Sequence, residues 1–179
     1  MAFLNRLTRE FVEAKGDVTP LAMCPTDFTR AWADGSQQGP LAIYGRSLDP
    51  SVRVMWTGDA VCGDIPRSTL QWVNERTKRP ALVWWNYPVT DYAPHICNQG
   101  PVYGLDNANT SADLCGLLSN PMEYAVASSV AFYGVADYTW NPAAYNPLDC
   151  WERSLVYLMP DCHEAYRTCL LYTSPSPRD

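Results

Sequence analysis

Four short apolar runs, each closing in a polar or turn-forming burst, punctuate the chain: PLAMCPTDF, VRVMWTGDA, ALVWWNYPV and GLLSNPMEY. Their leading apolar residues, Leu21, Val52, Leu82 and Leu117, fall 31, 30 and 35 positions apart. That spacing suits repeated strand and crossover units, since one unit of an eight-fold β/α barrel of about 250 residues takes about 31. Helix candidates stand between the runs. STLQWVNERTKR puts Leu70, Val73 and Thr77 on one side, with Ser68 available as N-cap and Lys78 and Arg79 near the C-terminal dipole. YAVASSVAFYGVADY is Ala-rich and long enough for a helix. Ahead of the first run, Phe3, Leu4, Leu7, Phe11 and Val12 trace one helical face that ends at Gly16. One helix followed by β/α units is the order of a parallel sheet with crossover helices, and such sheets carry their sites at the carboxyl ends of the strands.

Two segments break the pattern. APHICNQGPVYGLDNANTSADLC has no helical period and reads as a long loop beyond a strand end, a common place for binding groups. DYTWNPAAYNPLDCWERSL reads as a helix end, a turn and a new helix. After the helical WERSLVYLMPDCHEAYRT comes CLLYTSPSPRD, Cys169 to Asp179, whose prolines cannot continue a helix. Those eleven residues match the translation of a transposase-type sequencing adapter, so residues 1–168 are read as the domain and 169–179 as a non-native tail.

Charge and composition narrow the functions. A net charge of −6 with thirteen Lys and Arg spread along the chain argues against nucleic acid, which needs a basic patch. The apolar runs are strand-sized, far below the roughly 20 residues of a membrane-spanning helix. Arg6, Arg9, Glu10 and Glu13 interrupt any signal-peptide core, so either the protein is cytoplasmic or its true N-terminus is missing. Seven cysteines without a C-x-x-C pair, and two histidines off zinc-ligand spacing, predict no metal site; reduced thiols filling a core, with at most one bridge, are expected instead.

The chemistry concentrates in LVWWNYPVTDY, 82–92. Strand alternation separates its two tryptophans: Trp84 and Asn86 share one face, and Trp85 faces the helix layer. Asp91 lies beyond Pro88, in the following loop. An aromatic wall with neutral amides and one carboxylate suits a sugar, which offers a C–H face for stacking and hydroxyls that want bidentate partners. A Trp-rich core edge with a capping Asp fits the same residue types. Asp27, Asp59 and Asp64, separate at strand ends, read as loop caps, and Glu123 with Asn120 as a cap of the following helix.

Taken together, MCPTDF, MWTGDAVCGDI, RPALVWWNYPVTDY, GPVYGLD, LLSNPMEYA and ADYTWNPAAY resemble the catalytic domain of glycoside hydrolase family 84 over Leu4 to Thr168. These are the β-N-acetylglucosaminidases, which include O-GlcNAc-removing enzymes and bacterial hexosaminidases once called hyaluronidases. The resemblance implies the C-terminal half of a (β/α)8 TIM barrel: the helix after the fourth strand, then the fifth to eighth strands with their helices. It implies a retaining, substrate-assisted hydrolysis with no cofactor, acting on glycans or glycoproteins that carry N-acetylglucosamine; a secreted or cell-surface bacterial parent fits the family. The family's paired catalytic aspartates would lie upstream of Met1, so none of the catalytic residues is expected here and 1–179 is expected to be inactive. The alternative is a non-catalytic GlcNAc-binding remnant. Motif by motif, Cys24 and Trp84 fall where the family lines the acetamide methyl pocket, and Val61 falls on the floor near it. Asn86, Asp91 and Asn120 match its hydrogen-bonding partners for the sugar. Phe28 stands where the family pattern usually has tyrosine, which removes a hydroxyl and keeps the ring.

Overall fold

The computed structural model describes residues 1–89 and 97–173. Each of the four apolar runs contains a strand: β1 (Ala22–Met23), β2 (Arg53–Trp56), β3 (Ala81–Trp85) and β4 (Leu114–Ser119). They form one sheet in the order β1-β2-β3-β4, with β1 parallel to β2 and β2 parallel to β3. The register sets Ala22 against Arg53 and Met55 against Leu82. Helices in chain order are α1 (Ala2–Leu7), α2 (Pro40–Ser47), α3 (Arg67–Thr77), α4 (Ser129–Trp140), α5 (Pro147–Leu158) and α6 (His163–Thr173). The result is an α/β fold with a parallel sheet. By packing it divides into two compact units, 1–85 with 108–118, and 86–107 with 119–179.

In the first unit, alternation along the strands decides what is buried. Val52, Val54 and Trp56 of the second run, and Ala81, Val83 and Trp85 of the third, are each 2% exposed or less. Val52 and Val54 pack with Leu48, and Leu4, Leu21, Met23 and Tyr44 cover that cluster. Trp56 stacks on Trp72 at 5.6 Å between ring centroids and donates its indole N–H to Thr69 Oγ1 at 3.1 Å. Helix α3 buries Leu70, Val73 and Thr77, the side its period assigns to the core, together with Thr69.

Several local expectations need correction. The residue at the N-cap of α3 is Pro66, and Ser68 lies inside the helix, because the extended backbone that a cap requires is at Pro66 (ψ 151°). The first helical face is real but short: α1 passes into a π-turn over Thr8–Val12 and a 3₁₀ turn over Glu13–Lys15, closed by Gly16 at φ 70°. Only part of that face finds a core, since Phe3 and Phe11 remain 70% and 52% exposed. Helix α2 was not expected at all. It begins at Gly39–Pro40, and at Gly45 its backbone runs so close to α3 that an added Cβ would sit 2.2 Å from the Arg76 carbonyl oxygen. A tertiary approach of that kind leaves no periodic mark on the sequence.

The second unit is helical. Helix α4 starts at Ser129, so Tyr124–Ser128 is turn rather than the first part of a helix. Helix α5 follows the expected turn, with Asn146 Oδ1 accepting from the Leu148 and Asp149 amides and Pro147 opening the first turn. WERSLVYLMPDCHEAYRT is two helices, broken between Leu158 and His163, and α6 runs on through Cys169 to Thr173. Val130, Trp151 and Leu155 form the core here, with Leu158, Tyr166 and Leu170 packed on it. The Trp151 indole N–H donates to the Gln99 carbonyl at 2.8 Å. The segment 97–113 is irregular, as its composition suggests, and is fixed by side-chain bonds within each unit: Asn107 to Tyr145 O at 2.6 Å, Asn74 to Asp113 O at 2.6 Å and Asn109 to Ile65 O at 3.4 Å.

One thiol lies in the core and most do not. Cys150 is buried, Cys62 is half-buried and the other five are exposed; no bridge joins Cys24, Cys97, Cys115, Cys150 or Cys162. No helix of the described residues is long and apolar enough to cross a membrane.

Asp113 gives this region a pH-dependent tie. Its carboxylate, 6% exposed, meets Arg67 Nε at 3.0 Å and accepts from the Thr110 amide and hydroxyl at 2.9 Å. Burial alone would raise its pKa; the bonds from Arg67 and Thr110 outweigh that and hold it below the usual carboxylate value. A depressed folded-state pKa gives stability that is present above the unfolded value and lost as pH falls through the folded one. Urea midpoints of the wild type should therefore drop below about pH 4, and those of Asp113→Asn should fall less steeply over that range. Equal slopes would remove Asp113 as the source.

Candidate active site

In the first unit the candidate residues stand at the ends of β1, β2 and β3. Cys24 follows β1 and is exposed, and burial of its neighbourhood raises its thiol pKa. A raised pKa keeps the thiol protonated and makes it a poor nucleophile. Phe28 lies in the loop after β1, half-buried, edge-on to Trp32 with centroids 5.1 Å apart. That loop is stitched to the loop after β2. The Phe28 carbonyl accepts from the Thr57 amide at 2.8 Å and from its hydroxyl at 3.2 Å, and the Gly58 carbonyl accepts from the Arg30 amide and the Thr29 hydroxyl, both at 3.0 Å. Gly58 adopts φ 105°, a backbone that L side chains rarely take, which lets the loop after β2 turn beneath these bonds and carry half-buried Val61. Thr29 and Thr57 are both almost fully buried, and sequence reasoning missed them: a threonine at a strand end carries no sign that it will face another loop.

Trp84 and Trp85 part as alternation predicts. Trp85 is 2% exposed and donates its indole N–H to the Gly63 carbonyl at 2.9 Å. Trp84 sits half-buried on the opposite face of β3, beside Leu82. Its indole nitrogen is inaccessible to solvent and has no hydrogen-bond partner among the described residues, so it remains a donor without an acceptor. Of the loop carboxylates, Asp27 caps its loop, accepting from the Asp34 amide at 3.3 Å, whereas Asp59 pairs with the Arg30 side chain at 3.4 Å.

In the second unit, Asn120 follows β4 and its Nδ2 donates to Asn86 Oδ1 at 2.8 Å. Asn120 therefore does not cap a helix, and α4 begins nine residues later, at Ser129. The Ser119 hydroxyl donates to the Tyr87 carbonyl at 3.4 Å, and the Tyr87 hydroxyl donates to Pro101 O at 3.4 Å; burial pushes its pKa up to about 12, so it stays a neutral phenol at any working pH. Asp91 lies outside the described residues. Two clefts lie elsewhere in this unit. One, of 920 Å³, lies along α5 and α6 between Val156, Tyr157, Arg153 and Arg167; Arg153 pairs with Asp137 and Arg167 with Glu152. None of the candidate sugar residues lines it.

In the first unit these strand ends present a thiol, two aromatic rings and a valine; in the second, two hydrogen-bonded carboxamides. Among the described residues, no group of His, Cys, Asp and Glu is placed to hold a metal ion.

A family model described as beta-N-acetylglucosaminidase (NAGidase) matches residues 1–170. Protein O-GlcNAcase of Mus musculus is 29% identical over 143 residues, 78% of this chain and 15% of that protein, and the Rattus norvegicus protein matches to the same extent. Among solved structures, CpGH84D superposes with a TM-score of 0.86 at 30% identity, covering 93% of this chain and 28% of that one. A mutant of the Thermobaculum terrenum O-GlcNAc hydrolase gives 0.81 at 31% identity, covering 93% and 35%. The chain thus spans about 15% of the length of the curated relatives it matches. A match over 170 of 179 residues, on a parallel α/β sheet whose strand ends carry the family's motifs, places the chain in the β-N-acetylglucosaminidases of glycoside hydrolase family 84.

Proposed function

We propose that the protein to which these residues belong hydrolyses terminal β-linked N-acetylglucosamine from glycans or glycoproteins, and that this chain supplies sugar-binding residues of that reaction. The observation that carries the reading is the family match over residues 1–170. We read the four strands as the fifth to eighth of a (β/α)8 barrel. Cys24, Phe28, Val61 and Trp84 then line the pocket of the acetamide methyl, for which small and aromatic apolar groups are the right surface. Asn86, Asp91 and Asn120 take the hydroxyls, an ionised Asp91 by charge-assisted bonds.

The reaction needs the acetamide held closely. Its carbonyl oxygen attacks C1 as the C1–O bond to the leaving group breaks and that oxygen takes a proton from a general acid. Water then opens the cyclic intermediate with retention of configuration, a recognised exception to the scheme of two carboxylates with one as nucleophile. Two neighbouring aspartates perform the acid–base and amide-orienting steps in the family, and no adjacent Asp-Asp pair occurs in 1–179. A second reading, recognition without cleavage, follows from that for this polypeptide taken alone.

Purified 1–179 should bind N-acetylglucosamine, lose that binding on Trp84→Ala, and release no chromophore from an aryl β-N-acetylglucosaminide. Chromophore release would overturn the division of roles. Failure of the wild type to bind the sugar would overturn the binding assignment.

A further inference from the structure

Trp32 is the most exposed tryptophan of the first unit, at 62%. Trp56 and Trp85 are buried there, and Trp72 is covered by the Arg76 guanidinium at 3.9 Å and by Trp56 at 5.6 Å. No such cover reaches Trp32 from Arg30, two residues before it, which is engaged with Asp59 at 3.4 Å and with the Trp72 ring at 5.0 Å. The residue stands on an arch, 29–39, that is pinned at two places. At its start the Arg30 and Ala31 amides donate to Gly58 O at 3.0 Å and Asp59 O at 3.2 Å. Further on, Arg76 Nε donates to Gly35 O at 2.8 Å, and Gly35 lies so close to α3 that an added Cβ would sit 2.7 Å from the Trp72 ring. Between the pins, the Trp32 ring is edge-on to Phe28 with centroids 5.1 Å apart. An exposed aromatic held in this way is preorganised for contact, because little loop freedom is left to lose on binding.

The arch offers a ligand acceptors and a ring, and few donors. Its amides at residues 30–34 and at Ser36 are all taken up internally: by Gly58 O, Asp59 O, Thr29 O for both Trp32 and Ala33, Asp27 Oδ2 and Asp34 Oδ1. The carbonyls of a peptide therefore find no backbone donor at these positions. What remains is the aromatic face with the carboxylates of Asp27 and Asp34, each bonded to fewer donors than the roughly four a carboxylate can take. A pyranose matches both features, with a C–H face for the ring and hydroxyl donors for the carboxylates. We infer that Trp32 is a specificity-determining residue that stacks on a second sugar, linked through C1 of the N-acetylglucosamine, so that the leaving group is a sugar rather than a serine or threonine side chain of a peptide. This rests on the reading of Phe28 as a wall of the acetamide pocket. A terminal N-acetylglucosamine continues into the rest of its substrate only through the oxygen on C1, and C1 adjoins the carbon that carries the acetamide. The aromatic ring next to the acetamide wall then meets the leaving group.

Calorimetry on 1–179 would compare three ligands: the methyl β-glycoside of N-acetylglucosamine, the β-linked disaccharide of two N-acetylglucosamines, and a short peptide carrying N-acetylglucosamine on serine. The wild type should bind the disaccharide about three- to tenfold more tightly than the methyl glycoside, the range of a single aromatic contact, and the peptide no more tightly than the methyl glycoside. Trp32→Ala should abolish the gain and leave the affinity for the methyl glycoside unchanged, which also reports that the pocket is still folded. Trp32→Tyr keeps a ring on the arch and should keep most of the gain. A gain that survives Trp32→Ala, or an equal and Trp32-dependent gain for the peptide, overturns the assignment. If the methyl glycoside binds and the disaccharide gains nothing, this inference alone falls. If the wild type binds none of the three, the sugar-binding reading falls and this inference with it.

Discussion

Trp85→Ala should cost about 3–5 kcal/mol of stability, and Trp84→Ala, one position earlier, should cost far less and act on the ligand instead. The two residues have the same chemistry and the same strand, and differ only in the face that strand alternation gives them. Trp85 is 2% exposed on the side that also carries Ala81 and Val83, and its indole N–H is satisfied by the Gly63 carbonyl at 2.9 Å. Truncation would leave a cavity of nearly the whole ring system and a carbonyl without its donor, and both losses add. Trp85→Phe separates them: the ring volume largely survives, so the cost should fall to about 1–3 kcal/mol. Trp84 buries less and its indole N–H already lacks a partner, so its removal costs the fold no hydrogen bond. Urea midpoints of the three variants, read with N-acetylglucosamine affinity, test the contrast. Equal destabilisation by Trp84→Ala and Trp85→Ala would show that the two faces are not the core and the site.

That contrast was legible in the sequence because period-two alternation needs only neighbouring residues. The strand positions were legible for a similar reason: an apolar run ending in a polar burst is a local signal, and all four runs became strands. The hydrogen bond between Asn120 and Asn86 was not, since it joins two residues 34 positions apart. Helix α2 was missed because what allows it is the absence of a Cβ at Gly45, a requirement set by the Arg76 carbonyl far along the chain. The motifs named seven candidate residues, and the structure shows the surroundings of six; Asp91 lies outside the described residues. The stitching of the first two loops through Thr29 and Thr57 had no local signal at all.

Arg79→Ala should be the other large loss, about 3–5 kcal/mol, and the reason is a role that its place in the sequence disguises. Two residues after α3, it reads as a cation for that helix's own C-terminal dipole. In the structure it is 8% exposed and serves α2 as well. Its Nε donates to Thr77 O at 2.9 Å, Nη1 to Asp49 O and Val52 O at 2.8 Å each, and Nη2 to Leu48 O at 3.3 Å and Tyr44 O at 3.5 Å. One planar fork thus ties together carbonyls at the end of α2 and at the entry to β2, where the chain turns from helix to sheet. Burial lowers its pKa and nearby Asp49 partly offsets that, but a guanidinium stays charged across the working pH range. Its contribution should therefore hold through acid, where that of Asp113 is lost. Arg79→Met tests whether packing of the stem explains the effect: it fills much of the volume and donates nothing, so it should remain nearly as unstable as Arg79→Ala. Arg79→Lys keeps the charge but brings three donors at a single point, too compact to span carbonyls on both sides of the turn, and should recover less than half of the loss. Full recovery by Arg79→Lys would mean that charge at the end of α2, and not the fork, is what the fold requires.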